Sequence, residues 1–260
     1  MSESQGALPE VASVWVQAEV IDVVSDLHLS PDMPRTLAAF LACLGSTQAQ
    51  ALVLLGDVFE AWVGDDVLSQ PFEAECALAL RAFAQQRPLL VMRGNRDFLL
   101  GPAFFEATGA QDLPDPCVLR SPLGQALLAH GDAWCVADTA YQQFRAQVRH
   151  SAWQSAFLAK PLAERLAIAQ GLRAASQAHQ QDPNHSHADV DLEMAGQHLA
   201  AANCNVLVHG HTHKPGTQGW GSGLLRHVLS DWDLDGHGTP RCEVLRWSQA
   251  GWHRLPPSAC

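Results

Sequence analysis

Five short apolar runs in this 260-residue chain each stop at a residue type that binds cations. Residues 20–24 lead into Asp26-Leu-His28, and residues 52–55 into Gly56-Asp57. The next two runs close on Gly94-Asn95 and His130-Gly-Asp132, and the last on Gly210-His211-Thr-His213. Each is rich in Val and Leu and is followed by Gly or a polar residue, the pattern of a buried parallel strand that ends at a loop. Sheets of such strands present their chemistry at the carboxyl ends. The constraint is therefore double: an α/β fold, and a polar centre built where five strands end.

Helical stretches at 36–44, 73–86 and 102–108 alternate with the strands of the first half, which implies a parallel sheet with crossover helices. After His130 the alternation stops. Residues 138–202 read as nearly continuous helix, broken at Lys160-Pro161 and at Asp182-Pro183-Asn184. Strand character returns at 206–208, and the tail from 220 to 255 suits antiparallel edge strands. The expected organisation is a loosely held extension at 1–18, one discontinuous core made of 19–135 and 203–255, and a helical insertion at 136–202.

Composition narrows the class of function. A formal charge of −11 argues against a nucleic-acid partner, whose electrostatic footprint is a basic face. It does not argue against a small phosphorylated substrate, because bound divalent cations reverse the sign locally. The seven cysteines are odd in number and form no C-x-x-C pair, so the chain reads as carrying reduced thiols rather than a zinc ribbon or a disulfide framework. No stretch approaches the about 18 consecutive apolar residues of a membrane span, and the first residues lack the features of a signal peptide, so a cytoplasmic location is expected.

A strand ending in Asp-x-His puts both side chains on the same side of the chain, since side chains alternate with period two. Asp26 and His28 thus converge on one cation, and His211 and His213 form a second convergent pair. Asp57 has two oxygens and can bridge two ions, while Asn95 and His130 add a neutral oxygen and a nitrogen. Carboxylate, amide oxygen and imidazole together suit Mn²⁺, Fe or Zn; without a thiolate to favour zinc, manganese is the first choice. Taken singly, each motif reads as a capped turn. The competing reading is that these groups only satisfy strand-end backbone and that the histidines are ordinary, but turn chemistry does not select this set in this order. The set argues for a two-metal phosphoester hydrolase.

The five motifs resemble the calcineurin-type metallophosphoesterase signature. More narrowly, Phe59-Glu-Ala-Trp62-Val-Gly-Asp65-Asp66, Gly94-Asn95-Arg96-Asp97-Phe98 and the stretch His130-Gly-Asp132 through Asp138, Tyr141, Phe144 and Arg145 are similar to the UDP-2,3-diacylglucosamine pyrophosphatases of lipid A biosynthesis. The resemblance implies mixed β-sheets packed as a sandwich, flanked by helices and carrying a helical cap. It implies two Mn²⁺, the first held by Asp26, His28, Asp57 and His213, the second by Asp57, Asn95, His130 and His211, with Asp57 as the bridge. The implied reaction is attack of a water between the metals on the phosphorus next to uridine, giving UMP and the diacylated sugar 1-phosphate. It further implies catalytic roles for Asn95 and Arg96 and substrate contacts from Asn95, Arg96, Asp138, Ser176, Gln180 and His211. The implied location is the cytoplasmic face of the inner membrane, held peripherally.

Arg96 stands where most calcineurin-type enzymes have a His that can protonate a leaving alkoxide. A sugar phosphate leaves a pyrophosphate as an anion whose second pKa is about 6, so charge stabilisation matters more than protonation. Arginine supplies that charge; the alternative is that Arg96 pairs with Asp97 or Asp132 as scaffolding. In the insertion, Trp153, Phe157, Leu158, Leu162, Leu166 and Ile168 form an apolar stripe that packs the cap, contacts acyl chains, or both. The cap lacks the lysine that the family carries a little beyond Gln180, and Pro183 takes its place. Lys160 and Lys214 are the only lysines, so membrane attachment would fall to apolar cap residues with some of Arg145, Arg149, Arg165 and Arg173. His209 reads either as a partner behind His211 or as a buried structural histidine. Two rivals remain open: a metallophosphoesterase of other specificity, acting on phosphodiesters or dinucleoside polyphosphates, and a metallophosphoesterase-like scaffold that only binds partners. Oligomeric state is not legible.

Overall fold

The computed structural model describes residues 10–180, 188–221 and 223–259, with the side chains of 175–180 and 259 left aside. Its strands are β1 (Ala12–Trp15), β2 (Val20–Val24), β3 (Ala51–Leu55), β4 (Leu89–Met92), β5 (Gln111–Leu113), β6 (Cys117–Ser121), β7 (Gly124–Ala129), β8 (Val206–His209), β9 (Gly216–Trp220), β10 (Leu224–Val228), β11 (Val244–Ser248) and β12 (Gly251–Leu255). Its helices are α1 (Pro34–Ser46), α2 (Pro71–Ala84), α3 (Pro102–Thr108), α4 (Thr139–Val148), α5 (Ser151–Leu158), α6 (Leu162–Gln180) and α7 (Leu192–Ala201).

The strands form two six-stranded sheets, ordered β1-β6-β7-β8-β10-β9 and β12-β11-β2-β3-β4-β5. Within the second, β2, β3, β4 and β5 run parallel; the apolar runs of β2, β3 and β4 suit strands covered on both faces, whereas β5, Gln111-Asp112-Leu113, is the edge with its first two residues exposed. The alternation of side chains then splits each strand between two cores. Ile21, Val23, Ala51, Val53 and Leu55 face Cys117, Leu119, Ala126 and Leu128 of the other sheet, while Val24, Leu52 and Leu54 pack with Phe40, Leu80 and Phe104 of the helices. On the far side of the first sheet Val118, Leu127 and Leu207 receive Ala195 and Leu199 of α7. The molecule is a mixed sandwich between helical layers, as expected.

Three features differ from the reading of the sequence. β1 pairs in parallel with β6, and Val16 and Ala18 are buried, so residues 12–15 belong to the sheet and the chain up to Ala18 is held against the core; residues 1–9 lie outside the described part. Helix α7, read as part of the insertion, packs on the core sheet instead. The predicted helix from 138 also breaks at Arg149 and His150, where the His150 side chain accepts the Ala152 amide and starts a new helix. The break at Asp182-Pro183-Asn184 falls outside the described residues.

Several helix starts are capped from far away in sequence. Asp235 accepts the amides of Arg35 and Thr36 at 3.0 and 2.8 Å, and Asp65 accepts those of Gly101, Ala103 and Phe104 at 2.9, 2.8 and 3.2 Å. Both α1 and α3 have Pro near the start and no local cap, so these carboxylates satisfy donors that would otherwise be orphaned.

Candidate metal centre

Three of the five motifs follow β2, β3 and β4, which are neighbours in one sheet, and two follow β7 and β8, which pair in parallel in the other. Their loops meet at one end of the sandwich. Asp26 N donates to Gly56 O at 3.1 Å, His28 N to Asp57 O at 3.0 Å, and Gly210 N to His130 O at 3.0 Å.

The convergence does not come from strand alternation, as expected from spacing alone. Asp26, His28, Asp57, His211 and His213 all lie beyond the strand ends with φ between 48° and 65°. Among the described non-glycine residues only Asn203 shares that left-handed conformation. It costs of order 1 kcal/mol or more per residue, and Asp, Asn and His tolerate it best. Ligand-type residues therefore also suit the turn geometry that folds each loop back over its strand.

Among the described residues, two groups of donor atoms gather closely: Asp26, His28 and His213, and Asp26, Asp57 and His130. In the first, His213 Nε2 lies 3.3 Å from His28 Nε2 and 3.4 Å from Asp26 Oδ1. Next to the second, Asn95 Oδ1 is 2.9 Å from His130 Nε2 and 2.8 Å from His211 Nδ1, and Asp57 Oδ1 is 3.6 Å from His130 Nε2. All seven residues expected as ligands are thus brought together. Asp26 is the carboxylate common to both groups, whereas Asp57 belongs to the second alone.

Glycines make the room. A Cβ on Gly94 would lie 2.1 Å from Asp57 Oδ1, on Gly56 2.3 Å from His130 Nδ1, and on Gly210 2.3 Å from Asp26 Oδ2. Electrostatics point the same way. Burial opposes charge on Asp26, yet the His213 hydrogen bond and the His213, His130 and His28 charges hold its carboxyl well below the usual range. Burial likewise opposes charge on His130, but Asp57, Asp26 and Asp132 push it up to about 9. Carboxylate, amide oxygen and imidazole donors gathered in one buried cluster fit divalent metal ions.

Asp97 fastens two of the loops together. Its carboxylate accepts Gly94 N and Val58 N, both at 2.7 Å, and Asp57 N at 3.3 Å. Burial and the nearby Asp57 raise its pKa to about 6. Arg96 pairs with neither Asp97 nor Asp132. Its guanidinium Nη1 lies 3.5 Å from Glu60 Oε1, and its amide donates to Asp57 Oδ1 at 2.7 Å. Sequence reasoning gave Glu60 no role, although it stands inside a quoted motif.

The four arginines considered for a membrane are turned inward. Arg145 Nε donates to Asp132 Oδ2 at 2.8 Å, beside the Tyr141 hydroxyl, and Arg149 Nη2 to Gly94 O at 2.9 Å. Arg165, 3% exposed, bonds Val63 O and Asp66, and Arg173 Nε lies 2.9 Å from Glu60 Oε1. They clamp the cap to the strand-end loops. Beneath the cap lies a cavity of about 370 Å³, lined by His28, Asp57, Asn95, His211 and His213 together with the apolar Phe98, Phe144, Trp153, Phe157 and Leu172. Arg96, Glu60 and Arg173 line it as well.

Asp138 lines the same cavity and also caps α4, accepting Tyr141 N at 3.0 Å. The backbone of Ser176 and Gln180 lies in α6, one turn apart; their side chains, like Pro183, lie outside the described residues. Trp153, Phe157, Leu162 and Ile168 of the apolar stripe pack on the core, whereas Leu158 and Leu166 are exposed. His209 is a buried structural histidine: its Nδ1 reaches Gly210 O at 2.8 Å and its Nε2 accepts Arg226 Nε at 2.9 Å. It holds the turn that carries His211. Trp232 is core, its amide donating to Asp26 O at 2.9 Å.

A two-sheet sandwich with candidate ligands at five strand ends is the frame of a class of metal-dependent hydrolase. The chain belongs to the calcineurin-like phosphoesterase family, whose model matches residues 20–215. It is 45% identical over 226 residues to the UDP-2,3-diacylglucosamine hydrolase of Bordetella pertussis, covering 84% of this chain and 88% of that one. It is 46% identical over 215 residues to the protein of the same name from Chromobacterium violaceum, covering 82% and 90%. Among solved structures, the phosphoesterase Yfce from E. coli aligns with a TM-score of 0.45 at 16% identity, over 92% of this chain and 94% of that one.

Proposed function

We propose that this chain hydrolyses the pyrophosphate bond of UDP-2,3-diacylglucosamine to UMP and 2,3-diacylglucosamine 1-phosphate, with two manganese ions. The observation that carries the reading is the cavity, whose one lining combines the candidate metal ligands, two arginines and apolar side chains of the cap. A substrate that joins a pyrophosphate to acyl chains matches that combination of surfaces. In support, the relatives at 45% and 46% identity carry the name of this activity.

Asp26, His28, Asp57 and His213 would hold one ion, and Asp57, Asn95, His130 and His211 the other. Bound there, divalent ions polarise the phosphoryl oxygens and lower the pKa of the attacking water. The protein's own groups position and neutralise. The Arg96 guanidinium faces the pyrophosphate and stabilises negative charge on the departing sugar phosphate, which leaves with the bridging oxygen and needs no proton. Asn95, Asp138, His211, Ser176 and Gln180 contact substrate. Arg173 gives the cavity a second cation in a cap without the family's lysine.

Among the described residues no helix is long and apolar enough to cross a membrane. We place the protein peripherally on the cytoplasmic face of the inner membrane, where its substrate lies. With the cap arginines engaged inside, attachment falls to exposed apolar groups such as Phe144, Leu158, Leu166 and Leu192. Failure to co-sediment with anionic liposomes carrying substrate would refute that placement.

The deciding assay presents metal-stripped protein, reconstituted with Mn²⁺, with UDP-2,3-diacylglucosamine beside UDP-glucose and simple aryl phosphoesters. UMP release from the acylated substrate alone, with two metal equivalents bound, is the expected result. Equal or faster cleavage of the simple esters would sink the reading in favour of another phosphoesterase specificity.

A further inference from the structure

Glu60 touches three groups that this chemistry needs in register. Its Oε2 lies 3.2 Å from His28 Nδ1, and its Oε1 lies 3.5 Å from Arg96 Nη1 and 2.9 Å from Arg173 Nε. His28 presents its other nitrogen to the ligand cluster, Arg96 stands on the loop after β4, and Arg173 belongs to cap helix α6. One carboxylate, its side chain 12% exposed, therefore joins the metal centre, the anion-binding group and the cap.

The segment around Glu60 grips α6 twice. At one end Asp66 and Val63 O hold Arg165, and at the other Glu60 holds Arg173. Only the second grip also reaches a candidate metal ligand. His28 Nδ1 and Arg173 Nε are both buried, and neither has an aligned hydrogen bond among the described residues, so the adjacent carboxylate is what compensates them. Leaving such donors without it would be costly.

We propose that Glu60 is a positioning residue that couples the seat of the cap to the metal centre, by fixing the His28 tautomer while holding Arg96 and Arg173 on the same carboxylate. A proton kept on Nδ1 by Glu60 leaves Nε2 free for a cation, the arrangement by which carboxylates orient ligating histidines. The inference rests on the metal-dependent reading above but not on the identity of the substrate.

Glu60→Gln tests it, since the amide keeps the size and loses the charge. Mn²⁺ affinity measured calorimetrically without substrate should fall about tenfold or more, as for other carboxylates behind a ligating histidine. Amide hydrogen exchange around Arg173 should quicken several-fold, and kcat should fall together with a rise in KM. Arg173→Ala should quicken the same amides, and adding E60Q to it should bring little further change. A merely structural Glu60 would lower the melting temperature and leave the Mn²⁺ affinity of the folded protein intact. Wild-type affinity in E60Q, or additive exchange effects in the double variant, would overturn the proposal. Should E60Q not fold, Arg173→Ala alone decides, because unchanged exchange around position 173 would overturn it. If metal affinity and exchange respond as expected while the acylated substrate is not cleaved, the substrate reading fails and the coupling stands.

Discussion

The Arg96 amide donates to Asp57 Oδ1 at 2.7 Å while the Arg96 guanidinium turns the other way, to Glu60. The backbone of this residue holds a candidate metal ligand and its side chain faces the cavity. The two roles can be separated by substitution.

Arg96→Ala keeps the amide and removes the fork. Turnover on UDP-2,3-diacylglucosamine should fall by about 10² or more, the usual loss when one donor to a developing charge is removed. Metal content, measured by elemental analysis, should match wild type. Turnover within a few-fold of wild type would remove the guanidinium from the mechanism.

Asp97→Ala should damage the site without touching substrate. It leaves the Gly94 and Val58 amides, both buried, without their acceptor. Urea unfolding should show a loss of about 2–3 kcal/mol, and Mn²⁺ affinity should drop because Asp57 and Asn95 lose their common anchor. An unchanged Mn²⁺ affinity would show that the loops hold themselves.

Gly94→Ala tests the close approach directly. Its Cβ would stand 2.1 Å from Asp57 Oδ1, a contact that one of the two must abandon. Mn²⁺ binding should weaken at least tenfold, with far-ultraviolet dichroism unchanged. Normal binding would mean that Asp57 can move without loss.

Arg165→Ala should loosen the cap and leave the metal centre alone. The guanidinium is buried against Val63 O and bonds Asp66, and neither is a ligand. KM for the acylated substrate should rise several-fold while calorimetric Mn²⁺ affinity stays at the wild-type value. This outcome contrasts with that expected for E60Q, and equal behaviour of the two variants would erase the distinction between the two grips.

His227 should contribute to acid lability. Burial, aided by Arg254, lowers its pKa to about 4, and its ring lies tilted against Trp252, with centroids 5.1 Å apart. The unfolded chain, with a pKa of about 6.5, binds the proton first as pH falls. The stability contribution is therefore complete above about pH 6.5 and declines below it, by up to about 1.4 kcal/mol per pH unit until the folded group also titrates. Chemical denaturation from pH 7.5 to 4.5 should show a steeper loss for wild type than for His227→Asn. Parallel curves would assign the acid lability elsewhere.

Strands β2, β3, β4 and β8 were legible because each is a short apolar run bounded by a polar turn, and that signal is local. β1 was not, since a four-residue strand with exposed Trp15 is made a strand by its pairing with β6, about a hundred residues on. For the same reason α7 read as part of the insertion: an amphipathic helix does not declare which surface its apolar side will cover. The candidate ligands were legible as residue types in order, but the reason they converge was not. Alternation along a strand was the expected cause, and left-handed backbone at five of the seven positions is the observed one.

The sequence by itself determined the fold class and the inventory of donors, because strand-forming runs and the chemistry of Asp, Asn and His are written residue by residue. Tertiary structure decided the pairings. That Glu60 joins His28, Arg96 and Arg173, that Asp235 caps α1, and that the cap arginines face inward depends on which distant charges the packed sheets bring within a few ångströms. These long-range contacts follow no period along the chain; packing removes water around them and leaves one charge as the nearest partner of another.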